Sequence, residues 1–401
     1  MALTIYHYLR GFHADDSPLN AGMEKAVAGL AGGIVSACAR TGDAGVRSVV
    51  LCEHPGVETV RTRNPEGFTV RSFDNAITDH KMFGLAPSFR QFVAEDLAAE
   101  ARRGECLVVL HAIFHPSVYL LSRLFKKHGI PYVLAPHDPY HPAIFEGGKL
   151  KKKAYWFFCE RRVLRGARAV QVLDVRHAHF LRELGVHTPV IEVVNGFAPG
   201  DVPDESSLRF RDANDRSPVS ILFLGRLDRM NKGLDLLIDA FAQLDERDVR
   251  LTLQGPDRGD RGALEQQARD LSLSDRITFL DADYSVPPSN LALKHDLFVL
   301  PSRFEGFGLS ALEAMLAARP VLVTDVAGLA PHVRSANAGV VADATVGSIR
   351  DHLKGLLSRR SEWREIGMRG RAHVLEELNW THIGEAALAD YRAILRGKSS
   401  S

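Results

Sequence analysis

The sequence predicts an α/β protein made of two doubly wound domains, each built on a parallel sheet. Short apolar runs of strand length alternate with stretches of helical periodicity along most of the 401 residues, and this alternation is typical of βαβ units. The length exceeds what a single hydrophobic core normally serves. Residues 199–218 interrupt the alternation once and are rich in Pro, Asp, Ser and Arg. We interpret them as a linker.

The first domain is predicted over residues 1–196. After the first strand come a polar loop and a long helical pattern over 23–38. The six apolar runs that we interpret as its strands cover 3–9, 46–51, 106–110, 132–135, 169–173 and 190–193. Helical stretches separate most of these runs, which implies parallel strands joined by crossover helices.

The second domain is predicted over residues 197–378, followed by a last helix over 379–396. Its predicted strands cover 220–224, 250–253, 277–280, 297–300 and 320–323. Two doubly wound domains in tandem would place a cleft between the carboxyl ends of two sheets. That is the usual place for a ligand in such folds.

Composition excludes several classes of protein. A net charge of +1 and 25% charged residues give no argument for binding nucleic acid or another polyanion. The four cysteines lack metal-type or disulfide-framework spacing, and we find no charged start leading into an apolar signal segment. No run reaches the roughly eighteen apolar residues of a membrane span. We therefore expect a cytoplasmic protein whose membrane contact, if any, is peripheral.

The segment 302–315 is the most informative stretch of the chain. It follows the apolar run 297–301 and precedes the helical pattern 309–316, so it predicts strand, tight loop and helix. Gly306 and Gly308 let the backbone approach a ligand, and the start of the helix offers unpaired N–H groups to an anion. Glu305 and Glu313 flank this anion site, which suggests recognition of hydroxyls on both sides of a phosphate.

The spacing in this segment resembles a known signature. Glu305 is followed by seven residues and a second glutamate, Glu313, with Gly306-Phe307-Gly308 after the first. This is similar to the signature of retaining glycosyltransferases of family 4. The resemblance implies the GT-B fold, two Rossmann-like domains facing a central cleft, with residues 306–310 and both glutamates at the donor. The alternative is a surface glutamate and a helix glutamate favoured by the helix dipole.

Within that donor site, the resemblance implies contacts from eleven residues in all. They are Gly22, Gly225, Arg226, Lys232, Glu305, Gly306, Phe307, Gly308, Leu309, Ser310 and Glu313.

A second motif lies at the start of the second domain. Residues 223–227 end a strand at Gly225-Arg226, and Lys232 follows six residues after the arginine. We expect 231–234 to open a helix. A guanidinium and an ammonium at a glycine-punctuated loop can share one diphosphate. The pair also resembles the diphosphate-binding pair of family 4, although either side chain could instead be a solvated surface charge.

Two features of the first domain extend the resemblance. Residues 21–25 are similar to the family's entry into the first helix, but Ala21 replaces the first glycine, so only Gly22 is assigned to the donor. His137 follows a predicted strand in a segment that resembles the loop whose histidine touches the transferred sugar, although Asp138 replaces a glycine. A purely structural histidine is the alternative.

Metal binding is not expected. His111 and His115 are four residues apart, as are His137 and His141, but each pair straddles a strand end and a proline, and no further ligand completes a site. Asp281 and Asp283 form an Asp-x-Asp pair of the kind that holds Mn²⁺ or Mg²⁺ in glycosyltransferases of another fold. Three residues match often by chance, and we interpret them as loop.

Residues 149–168 combine a run of lysines and arginines with Trp156, Phe157 and Phe158. Such a helix could lie on an anionic membrane surface. It could equally be a solvated helix whose aromatic residues pack into the core. The family's frequent use of lipid-linked acceptors favours the membrane slightly.

Taken together, the resemblance implies transfer of a sugar, with retention, from a nucleotide diphosphate sugar to an acceptor hydroxyl in polysaccharide or glycolipid biosynthesis. Catalysis would involve Glu305, His137, Arg226 and Lys232 without a metal or other cofactor. UDP is the expected nucleotide, with GDP next, and the acceptor a carbohydrate or a lipid-linked one. In this fold a final helix returns to the first domain. Alternatives are a nucleotide-sugar 2-epimerase and a non-catalytic nucleotide-sugar binder.

Overall fold

A computed structural model of the chain describes residues 2–17, 19, 22–79, 83–141, 145, 149–212 and 215–397, with only the backbone of Lys149. Contacts divide the chain into two compact units. The first unit comprises Met1–Gly196 and Trp380–Ser401, and the second comprises Phe197–Asn379.

The first unit contains an eight-stranded sheet in the order β3-β4-β2-β1-β5-β6-β7-β8. Neighbouring strands run parallel except β3, which pairs antiparallel with β4. Because consecutive strands lead away from β1 in both directions, the order reverses between β1 and β5. The strands are β1 (Leu3–Tyr8), β2 (Val46–His54), β3 (Thr59–Thr62), β4 (Thr69–Asp74), β5 (Cys106–His111), β6 (Tyr132–Ala135), β7 (Ala169–Val172) and β8 (Val190–Glu192).

Helices connect these strands. They are α1 (Gly22–Thr41), α2 (Pro87–Phe92), α3 (Ala98–Arg103), α4 (Pro116–His128), α5 (Lys149–Tyr155), α6 (Arg161–Gly166) and α7 (Ala178–Glu183). Single π-helical turns at Val93–Leu97 and Trp156–Glu160 join α2 to α3 and α5 to α6, so each pair forms one continuous helix. A 3₁₀ turn at Val175–His177 precedes α7.

The second unit contains a six-stranded, fully parallel sheet in the order β11-β10-β9-β12-β13-β14. This is the doubly wound order in which the chain direction across the sheet reverses between the first and fourth strands, here β9 and β12. The strands are β9 (Val219–Leu224), β10 (Val249–Gln254), β11 (Ile277–Leu280), β12 (Leu297–Leu300), β13 (Val321–Thr324) and β14 (Gly339–Ala342).

The helices of the second unit are α8 (Arg229–Lys232), α9 (Leu234–Ala242), α10 (Arg261–Asp270), α11 (Pro288–Ala292), α12 (Leu309–Leu316), α13 (Ala330–Ala336), α14 (Val346–Ser358) and α15 (Trp363–Glu377). Shorter 3₁₀ turns lie at Pro199–Asp201, Glu205–Ser207 and Arg360–Glu362.

The last helix, α16 (Trp380–Leu395), packs against α1 of the first unit. Gly33 in α1 and Gly384 in α16 allow this close packing. A Cβ atom at Gly33 would overlap the backbone carbonyl of Trp380, and one at Gly384 would overlap the backbone of Gly33. Tyr391 donates a hydrogen bond of 2.6 Å to Gln171 in β7, which anchors the helix to the sheet.

The predicted fold class is confirmed, and the predicted strands agree with the observed ones within three residues at each end. Prediction missed β3, β4 and β14. β3 is a half-exposed edge strand of four residues, and β14 is also only four residues long. β3 and β4 are mostly polar and β14 begins with a glycine, so none of the three is a continuous apolar run like the strands that were predicted.

Two further details differ from expectation. Residues 199–212 contribute contacts to the second unit: Arg371 donates to the carbonyl of Pro203, and Arg211 lies 3.0 Å from Asp296. They are therefore part of that unit's packing and not a free linker. Lys232 is the last residue of the short helix α8, whereas the sequence suggested that it opens a helix.

Candidate active site

The two predicted cations, Arg226 and Lys232, lie in the loop after β9 and in the short helix α8 that follows it, at the point where strand order reverses. Arg226 is exposed, and among the described residues it has no hydrogen bond or ion pair. Asp228 caps α8 by accepting a hydrogen bond of 2.9 Å from the backbone N–H of Asn231. This short helix ends at Lys232, whose position is thus fixed by a capped turn.

The loop after β12 leads into α12 as predicted. Gly308 caps this helix with φ of 103°, a conformation that favours glycine, and a Cβ atom there would come within 2.9 Å of Leu300 Cδ2. In the described part of the chain, the backbone N–H groups of Leu309 and Ser310 have no hydrogen-bond acceptor. The helix start is therefore open to an anion.

Lys232 and Glu305 bring the two loops together. Nζ of Lys232 lies 2.5 Å from Oε2 of Glu305, and both side chains are largely buried. Ser302, which is fully buried, donates a second hydrogen bond of 3.1 Å to the same carboxylate oxygen. A mostly buried carboxylate needs such partners to stay charged. The site thus contains a paired cation and anion next to an open helix start.

Arg303 fixes the spacing between these loops. Its guanidinium donates to both carboxylate oxygens of Asp235 at the start of α9, at 2.7 and 2.8 Å, and to the carbonyl of Arg229 at 2.7 Å. The backbone N–H groups of Arg303 and Phe304 both donate to the carbonyl of Asn231. Bidentate pairs of this kind are the most geometrically specific ion pairs. The sequence analysis did not predict this ion pair between Arg303 and Asp235.

The remaining predicted residues of this segment lie in and under the same loop. Gly306 and Phe307 are buried, and the carbonyl of Phe307 accepts from the N–H of Leu329 after β13 at 2.9 Å. Glu313 is only 6% exposed on the second turn of α12. Gly225 directly follows β9 and donates its N–H to the carbonyl of Gln254 at 3.0 Å.

In the first unit, His137 belongs to a chain of three histidines that the sequence did not reveal. Nε2 of His137 lies 2.7 Å from Nδ1 of His111, and Nε2 of His111 lies 3.1 Å from Nδ1 of His7. The three residues come from the carboxyl ends of the adjacent strands β1, β5 and β6. His7 and His111 are fully buried, whereas His137 is half-buried, with a positive φ of 63°.

Burial keeps these imidazoles neutral. It lowers the pKa of His7 to about 3 and that of His137 to about 4, and it also lowers the pKa of His111 well below its ordinary value. His115, which shares a sequence motif with His111, instead contacts Ser117 at 2.7 Å. Within the described ranges no group of three or more His, Cys, Asp or Glu residues is arranged to hold a metal ion.

The other sequence candidates are placed as follows. Gly22 is the exposed first residue of α1, while Ala21 lies outside the described residues. Asp281 pairs with Arg261 at 2.6 Å, and Asp283 accepts hydrogen bonds from the N–H and hydroxyl of Ser285. Both aspartates lie in the irregular loop after β11, as predicted.

Comparison with known proteins connects this geometry to a family. Residues 204–373 match the model of the glycosyl transferases group 1 family. Residues 21–196 match the glycosyl transferase 4-like domain. The two matches together cover most of both units.

Curated relatives support the same family. The chain is 34% identical over 188 residues to a D-inositol 3-phosphate glycosyltransferase of Gordonia bronchialis, a match that covers 44% of this chain and 41% of that protein. It is 30% identical over 244 residues to the alpha-D-kanosaminyltransferase of Streptomyces kanamyceticus, covering 57% and 60%. The chain therefore spans less than two thirds of the length of these relatives.

Solved structures show the fold along the whole chain. A sucrose-phosphate synthase from Thermosynechococcus elongatus superposes with a TM-score of 0.72 at 19% identity, covering 99% of this chain and 100% of that one. An Anabaena protein in complex with UDP and glucose superposes with a TM-score of 0.67 at 18% identity, covering 98% and 99%. On the family models, the relatives and these structures, the chain belongs to the family 4 glycosyltransferases of the GT-B fold.

Proposed function

We propose that the protein transfers a sugar, with retention, from a nucleotide diphosphate sugar to an acceptor hydroxyl. The observation that carries this proposal is the buried Lys232–Glu305 pair beside the open N-terminus of α12. A cation and free N–H groups suit a diphosphate, and an adjacent carboxylate suits sugar hydroxyls. All of them lie where strand order reverses in the second sheet, the ligand position of doubly wound folds.

The diphosphate is proposed to bind Lys232, Arg226 and the backbone N–H groups of Leu309 and Ser310. These groups would stabilise the negative charge that grows on the leaving diphosphate in the transition state. Because two side-chain cations and a helix start supply this charge, we propose that turnover needs no metal ion. UDP is the favoured nucleotide and GDP the next. One structural neighbour is a UDP-forming alpha,alpha-trehalose-phosphate synthase from Burkholderia xenovorans, and another was solved with UDP and glucose.

Glu305 is proposed to hold hydroxyls of the transferred sugar and Glu313 those of the ribose. Gly22, Gly225, Gly306 and Phe307 would shape the backbone near the donor. The role of His137 at the sugar follows from the family resemblance, and its neutral, half-buried imidazole is suited to donating or accepting a hydrogen bond there. A donor phosphate oxygen would take the acceptor proton, so no covalent nucleophile is required.

The acceptor is proposed to be a carbohydrate or a lipid-linked carbohydrate of polysaccharide or glycolipid biosynthesis. The segment 149–168 would then contact an anionic membrane from the cytoplasmic side. Phe157 and Phe158 are 59% and 57% exposed, and Leu150 is 88% exposed, whereas Trp156 is buried. This exposure favours the membrane interpretation for all of the aromatic cluster except Trp156. Among the helices in the described part of the chain, none has the length and apolarity needed to cross a bilayer.

Incubating the purified protein with a panel of nucleotide sugars tests the proposal. We expect slow release of free sugar and nucleoside diphosphate from one donor, and faster release once a suitable acceptor is present. Conversion of a donor into its epimer without an acceptor would instead support an epimerase. Donor binding without turnover, even in the presence of acceptors, would support a non-catalytic binder.

A further inference from the structure

A cluster of six exposed cations lies on the first unit. It consists of Arg123, Lys126, Lys127, Arg162, Arg165 and Arg168, and we call it the cationic pocket. The first three lie in the last two turns of α4, Arg162 and Arg165 lie in α6, and Arg168 lies directly before β7. Together they line a cavity of about 950 Å³.

None of these six side chains forms an ion pair with a carboxylate in the ranges that the structure describes. Most other arginines of the first unit do form such pairs. These are Arg10, Arg40, Arg47, Arg61, Arg63, Arg103, Arg176 and Arg392. Cations near helix C-termini gain a little from the helix dipole, but six of them together repel each other. An anionic ligand would remove that repulsion.

A smaller hollow of about 340 Å³ adjoins the cationic pocket and shares Arg123 and Lys127 with it. Three leucines, Leu85, Leu120 and Leu124, line this hollow together with Arg90. Cationic and apolar surface are therefore continuous along α4. A ligand that has an anionic head and an apolar body fits this combination better than a small inorganic anion does.

The position of the pocket indicates which ligand reaches it. It lies at the amino ends of β6 and β7, whereas His137 follows the carboxyl end of β6. Phe158, Arg162 and Arg165 are spaced to lie on one face of the helix that runs from Lys149 to Gly166. Exposed aromatic residues and the cationic pocket thus belong to one surface of the first unit, and the carboxyl edge of the sheet is not part of it.

We propose that the cationic pocket binds the phosphate headgroup of an anionic phospholipid in a membrane surface. This proposal extends the membrane contact proposed above for residues 149–168 to α4, a helix that the sequence did not implicate. Arg123, Lys126 and Lys127 hold the phosphate from the side of α4, and Arg162 and Arg165 hold it from the side of α6. The leucine-lined hollow accommodates the apolar part next to the headgroup.

The test measures sedimentation of the full-length protein with phosphatidylcholine vesicles that contain or lack phosphatidylglycerol. The variant Arg123→Gln/Lys126→Gln/Lys127→Gln removes the α4 cations and leaves 149–168 intact. Each basic residue near an anionic surface contributes about 1 kcal/mol, so partitioning should fall about a hundredfold. Wild type should sediment with vesicles that contain phosphatidylglycerol and should stay in the supernatant with vesicles that lack it.

The matched control is Arg102→Gln/Lys294→Gln/Arg216→Gln, which removes the same charge at exposed positions outside the pocket. It should retain nearly all vesicle binding. If both triple variants lose binding equally, the attraction is diffuse and the pocket is not a site. If only the variant Lys151→Gln/Lys152→Gln/Lys153→Gln loses vesicle binding, the membrane contact is made by 149–168, and the proposal that the cationic pocket binds a headgroup is wrong.

Calorimetric titration at constant ionic strength distinguishes binding of free phosphate from binding of a lipid headgroup. One outcome would overturn the proposal and show a site for a free anion. In that outcome wild type binds inorganic phosphate saturably, the α4 variant does not, and the α4 variant binds vesicles as well as wild type does. Donor hydrolysis should be equal in wild type and the α4 variant, because none of the three residues belongs to the candidate active site. The outcome for the pocket is therefore independent of the outcome for sugar transfer.

Discussion

Nζ of Lys232 lies 2.5 Å from Oε2 of Glu305. The sequence assigned the lysine to the diphosphate and the glutamate to hydroxyls beside the phosphate, as two separate functions. Their contact means that an incoming diphosphate competes with Glu305 for the ammonium group or shares it. Because both side chains are largely buried, loss of either leaves the other charge poorly compensated.

We predict that Lys232→Ala and Arg226→Ala each lower kcat/KM by about a hundredfold or more. A charge that stabilises a leaving group inside a site is worth about 2.7 to 4 kcal/mol. The effect of Lys232→Ala should be the larger one, since Lys232 is largely buried whereas Arg226 is exposed. Steady-state kinetics with the identified donor measure both.

Lys354→Ala is the control for this prediction, because Lys354 pairs with Asp245 on the surface of the same unit at 2.8 Å. Its kinetics should match those of wild type. If Lys232→Ala also behaved like wild type, the diphosphate assignment would be wrong.

Substitution of Glu305 and substitution of Glu313 should change different kinetic parameters. A ribose contact is equally strong in the ground state and the transition state, so Glu313→Gln should raise the donor KM with little change in kcat. Glu305→Gln should mainly lower kcat. Calorimetric titration with the nucleoside diphosphate, which lacks the sugar, separates the roles. Glu305→Gln should bind it as well as wild type or better, because the neutral amide no longer competes for the ammonium group of Lys232.

Equal weakening of nucleoside diphosphate binding by both substitutions would contradict these roles. Glu362→Gln serves as the matched control, because Glu362 forms an exposed pair with Arg359 and should change neither parameter.

We predict that activity persists in excess EDTA. Arg226, Lys232 and the start of α12 provide the positive charge that a metal supplies in other transferases. The loop aspartates already have partners, since Asp281 pairs with Arg261 and Asp283 accepts from Ser285. Turnover that disappears on chelation and returns with Mn²⁺ or Mg²⁺ would show that a metal takes part.

The stability of the first unit should depend on Glu160. This fully buried carboxyl accepts a hydrogen bond of 2.6 Å from Tyr140, and burial raises its pKa from 4.5 to about 7. The pKa of Glu160 is higher in the folded than in the unfolded protein. The protonated carboxyl therefore contributes fully to the free energy of unfolding below pH 4.5, and this contribution is lost as the pH rises to about 7. That loss is about 3 kcal/mol of the free energy of unfolding.

Urea unfolding of wild type and Glu160→Gln at a series of pH values measures this contribution. The difference in free energy of unfolding between them should shift in favour of the variant as the pH rises through that window. The buried histidines change stability in the opposite direction, but they are common to both proteins and cancel in the difference. A difference that does not vary with pH would mean that Glu160 titrates normally.

Local sequence was sufficient for the fold class and for the main donor motifs. Buried parallel strands are continuous apolar runs, so β5 and β12 could be recognised without any tertiary information. Gly308 and the helix after it were also predictable, because a tight loop between a strand and a helix has a local signature. The edge strand β3 lacks an apolar run and could not be found in this way.

Tertiary structure alone decided which side chains meet. Lys232 and Glu305 are 73 residues apart in the chain, and Arg303 and Asp235 are 68 apart. Their contacts depend on β9 and β12 being neighbours, a property of strand order and not of any local pattern. The same reason explains the histidines: His7, His111 and His137 meet because β1, β5 and β6 are adjacent, while the sequence spacing paired His111 with His115.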